Sequence, residues 1–361
     1  MTVAMSPNAA RRTRGSQRLP SGPRAAVARV VAGLLAAAAV AGVPEAGAQL
    51  CSWGGTPSLP APEVAHLSSR SGVARAPGRL AVDADNNLYV TDPTTGRVVV
   101  EDVHGQVTAV LGDLGVPLAV AVDALGRVYV GDRSAGRVER FDSQWQPAGP
   151  LGQGDGEFQG VTDVAVDPDA GLGLVYVADG EADLIKVYGP DGDWLRSFGG
   201  TGSGAGELDF PSAVWVSPAG EVFVGDQNND RVQVFDRQGG FVRCFGAQGG
   251  SNRSFGRIFG IVGDDQGRLF VADGFQGHVR VFDPAGAVLA EIGDLGDLPG
   301  QFRTPFGLVI DGHGRLFVTS VNGGRVESFG IDDFTEPPSA GAIFNDGFES
   351  GDLHVWSAAA P

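Results

Sequence analysis

Through the stretch from Phe210 to Gly246 the apolar pairs Val214/Val216, Val222/Val224 and Val232/Val234 alternate with other residues at period two. That spacing is the signature of β-strands and predicts four short strands joined by three tight connections. Ser217-Pro218-Ala219-Gly220 and Asp236-Arg237-Gln238-Gly239 each open on a side-chain acceptor and close on Gly, the chemistry of a type I turn. Phe223 and Phe235 fall on the face opposite the valines, so this small sheet is apolar on both sides. Such a sheet needs neighbours like itself.

The unit recurs. An aromatic, a Val, a small residue and a polar anchor stand at Tyr89–Asp92, Tyr129–Asp132, Tyr176–Asp179, Phe223–Asp226, Phe270–Asp273 and Phe317–Ser320, with the anchors 40, 47, 47, 47 and 47 residues apart. Six residues after each anchor comes a β-branched residue (Val98, Val138, Ile185, Val232, Val279, Val326). Nine before it stands a turn-starting residue (Asp83, Asp123, Ser217, Asp264, Asp311), displaced to Asp167 in the third copy by an insertion near Gly171–Leu174. Four strands per unit, a period in the forties and glycine-rich links predict an all-β, six-bladed β-propeller with four antiparallel strands per blade. The sixth copy stops after its third strand, while Glu63–Ser68 stands ahead of the first copy where a fourth strand belongs. This N-terminal strand is expected to complete the last blade and close the ring without an open edge.

The pattern of apolar-Asp-x-x-Gly, aromatic-Val-small-Asp, Arg-Val-x-x-Phe and a Gly-rich link is similar to NHL-repeat β-propellers of the secreted bacterial type, and it covers residues 63–332. The third-strand entry departs from that family's Asn-Arg/His pair, reading Gly96-Arg97, Gly136-Arg137, Asp183-Leu184, Asp230-Arg231, Gly277-His278 and Gly324-Arg325.

Composition narrows the function classes. Formal net charge is −17 over 361 residues, and the six Arg before residue 49 leave 20 basic against 42 acidic side chains in the remainder. Nucleic acid is excluded as a partner, because phosphate binding needs clustered Lys and Arg. Residues 1–48 read as a secretory signal peptide: a basic start, the apolar run Val30–Val43, then Ala46-Gly47-Ala48. The run is too short for a membrane span. The mature protein is expected to be exported, to the periplasm, cell surface or medium, and a Cys51–Cys244 disulfide is then allowed.

Candidate chemistry is sparse. The anchor and the basic residue five later, as in Asp92/Arg97, Asp132/Arg137 and Asp226/Arg231, with Asp273 and Arg325 at equivalent places, recur around the ring and are read as structural braces. Related six-bladed lyases and lactonases hold a metal in the central channel on His and acidic ligands. Here His66, His104, His278, His313 and His354 are scattered over unrelated positions. No catalytic set, metal site or cofactor is therefore assigned. What remains is the loop face, where Gln227, Asn228, Arg253, Arg257 and Phe275 are the candidate ligand-binding residues. Residues 49–62 read as an N-terminal linker, 333–342 as a second linker and 343–361 as a short tag-like segment. The expectation is a noncatalytic binding scaffold for a protein or carbohydrate partner at the cell surface or in the medium. The alternative is a metal-dependent lyase or lactonase centred on the channel.

Overall fold

The computed structural model describes residues 51, 54–152, 157–246, 255–332 and 334. The segments 1–48 and 343–361 lie outside the described residues, as does Arg253. Among the described residues, 24 strands form six four-stranded antiparallel sheets. Blade one is β2 (Leu80–Val82), β3 (Leu88–Asp92), β4 (Arg97–Glu101) and β5 (Val107–Leu111). Blade two is β6 (Pro117–Val122), β7 (Val128–Asp132), β8 (Arg137–Phe141) and β9 (Pro147–Pro150), and blade three is β10 (Val161–Val166), β11 (Val175–Asp179), β12 (Leu184–Tyr188) and β13 (Trp194–Gly199). Blades four and five follow as β14 (Pro211–Val216), β15 (Val222–Asp226), β16 (Arg231–Phe235), β17 (Phe241–Phe245) and β18 (Ile258–Gly263), β19 (Leu269–Asp273), β20 (His278–Phe282), β21 (Val288–Ile292). Blade six takes β22 (Pro305–Ile310), β23 (Arg315–Ser320) and β24 (Arg325–Ile331) from the C-terminal end of the ring and β1 (Val64–Ser71) from its start.

The closing strand pairs antiparallel with β24 from Val64 opposite Ile331 to Ser71 opposite Arg325, with a register shift between His66 and Ser68. It therefore runs three residues beyond the predicted Ser68. The ring is shut by main-chain hydrogen bonds, which removes an edge that would otherwise template association.

Packing explains why both faces of each unit are apolar. Every residue of β3, β7, β11, β15 and β19 is buried. The buried side chains gather at the seams between blades: Tyr176 and Ile185 of blade three with Val214 and Phe235 of blade four, Phe270 and Val279 of blade five with Leu316 and Phe329 of blade six. Each fully buried aromatic there stabilises the fold by roughly 1.5–3 kcal/mol relative to exposure.

The anchors hold the links between blades. Asp132 accepts the amides of Gly115 (2.8 Å) and Val116 (3.0 Å) from the incoming link, and the amide and hydroxyl of Ser134 from its own loop. Asp92 does the same with the Arg75 amide, Asp226 with the Asp209 amide, Asp273 with the Gly256 amide, and in blade six the Ser320 hydroxyl receives the Arg303 amide. The basic residue five later is a different matter. Arg231 lies against Asp226 at 2.7 Å, but Arg97 stands 4.0 Å from Asp92, and Arg137 and Arg325 turn to Glu139 and Glu327 instead. The Asp–Arg brace is thus tight only in blade four, because the other third strands offer a carboxylate nearer to the guanidinium or leave it half exposed.

A strap runs outside the ring. Cys51 is disulfide-bonded to Cys244 of β17, the Gly54 amide donates to the Gly286 carbonyl (2.9 Å), and the Ser58 amide and hydroxyl donate to Asp283 (2.8 and 2.7 Å). The chain then enters β1. Cys51 on blade four and residues 54–71 along blades five and six mark this path.

Candidate functional site

Aligning the blades on their first turn residues places Arg79, Ala119, Asp163, Ala213, Gly260 and Gly307 at one equivalent position, four residues before Asp83, Asp123, Asp167, Ser217, Asp264 and Asp311. Four of the six are Ala or Gly. The other two are a charged pair, and the structure brings them together across the channel. Arg79 is 4% exposed, Asp163 7%. Arg79 Nε lies 3.2 Å from Asp163 Oδ1, an ion pair rather than an aligned hydrogen bond. Nη1 donates to the carbonyls of Phe259 and Phe306, and Nη2 to those of Ser212 and Thr162. The guanidinium also stacks on Phe306, with Cζ 4.7 Å from the ring centroid. Burial disfavours the charge on both partners, raising the Asp163 carboxyl and lowering Arg79, and each opposes that effect in the other. Asp163 is further held as the anion by the amides of Val214 and Val164, both at 3.0 Å. A charge buried without such partners would cost several kcal/mol.

This plug divides the channel. On the side of the first turns lies a well of about 450 Å³ walled by Val82, Val122, Val166, Val216 and Ile310. On the loop side lies a second cup of about 450 Å³ with Arg79 at its floor. Its inner wall is the residue before the axial position in successive blades: Leu118, Thr162, Ser212, Phe259 and Phe306. Its rim brings together Arg133, Phe210, Gln227, Asn228 and Arg257.

Three of the five candidate residues therefore share one cavity. Gln227 and Asn228 open the one-turn 3-10 helix Gln227–Asn229 that follows β15, and Arg257 ends the link into β18. Gln227 is only 7% exposed, yet its carboxamide has no hydrogen-bond partner among the described residues. Asn228 is exposed and donates to Asp209 at 2.7 Å. Arg257 has no side-chain acceptor among the described residues. Its guanidinium rests on Phe275, Cζ 4.9 Å from the ring centroid. Phe275 is 64% exposed and stands beside the cup rather than in its wall. Arg133, by contrast, is paired with Glu181.

The donor set at the axis does not fit a metal ion. The four carbonyls and the one carboxylate that converge there are already taken by a cation of the chain itself. Among the described residues no group of three His, Cys, Asp or Glu is placed to hold a metal. His66 sits on the closing strand, 2.9 Å from Glu327, and His278 lies 3.8 Å from Glu291, both away from the channel walls. The two hydroxyls that line the cup are committed to carbonyls: Thr162 donates to Pro211 (2.7 Å), Ser212 to Ile258 (2.6 Å). The axial pair was hidden from the repeat pattern because that pattern is read from what recurs. The signal was the opposite one, two charged residues at a position otherwise reserved for Ala and Gly.

No protein-family model matches the chain, and no curated protein matches its sequence. Solved structures do. A gluconolactonase from Xanthomonas campestris superposes with a TM-score of 0.57 at 20% identity, covering 79% of this chain and 98% of that one. A streptogramin B lyase superposes with a TM-score of 0.56 at 9% identity, covering 75% and 98%. A Bacteroides thetaiotaomicron protein of unknown function gives 0.57 at 17% identity, covering 75% and 77%. At these identities the likeness is one of fold: the chain is a six-bladed β-propeller. No helix among the described residues is long and apolar enough to cross a membrane.

Proposed function

We propose that the loop-side cup is the working site of this propeller and that it binds a small ligand or an exposed group of a protein or glycan partner. The observation that carries this reading is the juxtaposition of Gln227 and Arg257. The Gln227 carboxamide and the Arg257 guanidinium, neither with a hydrogen-bonding side-chain partner among the described residues, line one cavity of about 450 Å³. Concave sites with a few convergent polar groups are where ligands sit. An anionic group for Arg257 and an apolar or sugar-ring body for Phe259 and Phe306 fit this lining. The Cys51–Cys244 disulfide supports action outside the cytoplasm, in keeping with the leader and the NHL-like repeats.

A second reading is a lyase or lactonase using the same cup, and the named structural neighbours favour it. Its metal-dependent form conflicts with the filled axis. One experiment separates the two: thermal-shift titration with small carboxylates, sugar phosphates and glucono-δ-lactone, run beside a lactone-hydrolysis assay with and without EDTA. Under the binding reading, stabilising ligands appear without turnover, and the paired substitution Arg257→Ala with Phe275→Ala abolishes the shift. Unchanged shifts in that variant would remove this rim from the site. EDTA-sensitive hydrolysis would establish the metal-dependent enzyme instead.

A further inference from the structure

The carbonyl oxygens at the axis form a set of their own, turned to Arg79, although the residues that carry them also wall the cup. The carbonyls of Thr162, Ser212, Phe259 and Phe306 come from equivalent residues of blades three to six, and all four point at one centre. The corresponding carbonyl of blade one, Gly78, is instead occupied by the Thr319 hydroxyl at 2.8 Å. Among the described residues, the Asp163 carboxylate is the one paired with Arg79 at that centre. Backbone oxygens with one carboxylate are the donors that hold a cation.

The space around this centre is kept open by residues with nothing to contribute to it. A Cβ on Gly260 would lie 2.3 Å from the Phe306 carbonyl oxygen, and one on Gly307 would lie 3.0 Å from the Arg79 Cα. Either would displace a wall of the seat.

We infer that the axis of this propeller is a seat for a planar guanidinium ion, filled in cis by Arg79. Four of the five N–H donors of the guanidinium go to carbonyls, two at each Nη, while Nε faces the Asp163 carboxylate as an ion pair, so both Nη groups are committed away from a ligand in the cup. The seat is arranged for a planar ion rather than for a single point charge. Its oxygens are shared between two separate nitrogens of a planar ion, whereas calcium needs oxygens at roughly 2.3–2.6 Å from a single centre. A metal could reach this oxygen set only by drawing the inner strands together. Arg79 lines both the cup and the well and so lies between the two halves of the channel.

The test is chemical rescue of Arg79→Ala in the full, disulfide-bonded chain. Guanidinium, ethylammonium and calcium are added separately at low millimolar concentration and Tm is followed. Guanidinium at ten times its dissociation constant is expected to raise the Tm of the variant by about 3 °C, with ethylammonium and calcium weaker and the wild type unmoved. Should Arg79→Ala alone not fold, the double variant Arg79→Ala/Asp163→Asn keeps all four carbonyls without an orphaned charge, and the same ranking is expected. Equal effects of guanidinium and ethylammonium, or a larger effect of calcium, would overturn the inference. Because the readout is stability, it stands or falls apart from ligand binding in the cup.

Discussion

Arg79 in blade one and Asp163 in blade three meet across the propeller axis, Nε 3.2 Å from Oδ1, although 84 positions separate them in sequence. The pair ties together blades that share no seam. Removing one partner strands the other in a nearly dry interior, which typically costs about 3–5 kcal/mol. Asp163→Ala and Arg79→Met should each fall in that range by denaturant unfolding. The double variant is expected to lose less than the two singles summed. Strict additivity would show that the pair is not energetically coupled.

The glycines facing this pair should tolerate no side chain. Gly307→Ala places a methyl 2.5 Å from the Gly78 carbonyl oxygen, a backbone atom that cannot swing away. A loss of roughly 1–3 kcal/mol is expected. Gly55→Ala, where nothing lies within 4 Å of the added Cβ, is the control and should be near neutral. The comparison needs only the two midpoints of urea unfolding.

The strap gives a redox-dependent stability. Cys51–Cys244 closes a long covalent loop, 193 positions apart in sequence, and the chain-entropy limit for so long a loop is roughly 5 kcal/mol. Thermal scans with and without reductant should differ for the wild type and coincide for Cys51→Ser/Cys244→Ser. A wild type indifferent to reductant would mean that the hydrogen bonds of Gly54 and Ser58 already hold the strap.

Asp132 should contribute a pH-dependent part of the stability. Burial opposes its ionisation, but the Ser134 hydroxyl and the amides of Val116, Gly115 and Ala135 outweigh burial and hold the carboxyl at about 2 instead of 3.8. A carboxyl whose folded-state pKa is depressed stabilises the protein fully above the unfolded value and loses that contribution as pH falls through the folded one. The wild type should therefore exceed Asp132→Asn in stability at pH 6, with the gap closing between about pH 4 and pH 2. A gap constant over that window would assign the role of Asp132 to shape rather than charge.

Much of the fold was legible in the residues. Period-two valines, the recurring turn acids and the anchor spacing were enough for the number of blades, the strands within each and the closing role of the N-terminal strand. These features repeat because every blade solves the same packing problem, and repetition is what one sequence can display. The amides of the incoming link that Asp92, Asp132, Asp226 and Asp273 accept were not legible in the repeat spacing. Arg97, Arg137 and Arg325 show why: which acid a guanidinium meets depends on side-chain reach between strands, and Asp132/Arg137 has the same spacing as Asp226/Arg231 but a different outcome.

The sequence by itself determined an all-β ring of six like units, with variable loops gathered at one end. Only the tertiary structure decided what the ring encloses. Gln227, Asn228 and Arg257 line one cavity because ring closure aims their loops at a common axis. Arg79 and Asp163 become a plug because equivalent positions of different blades converge there. Convergence on an axis is a property of the closed ring, and no local spacing encodes it.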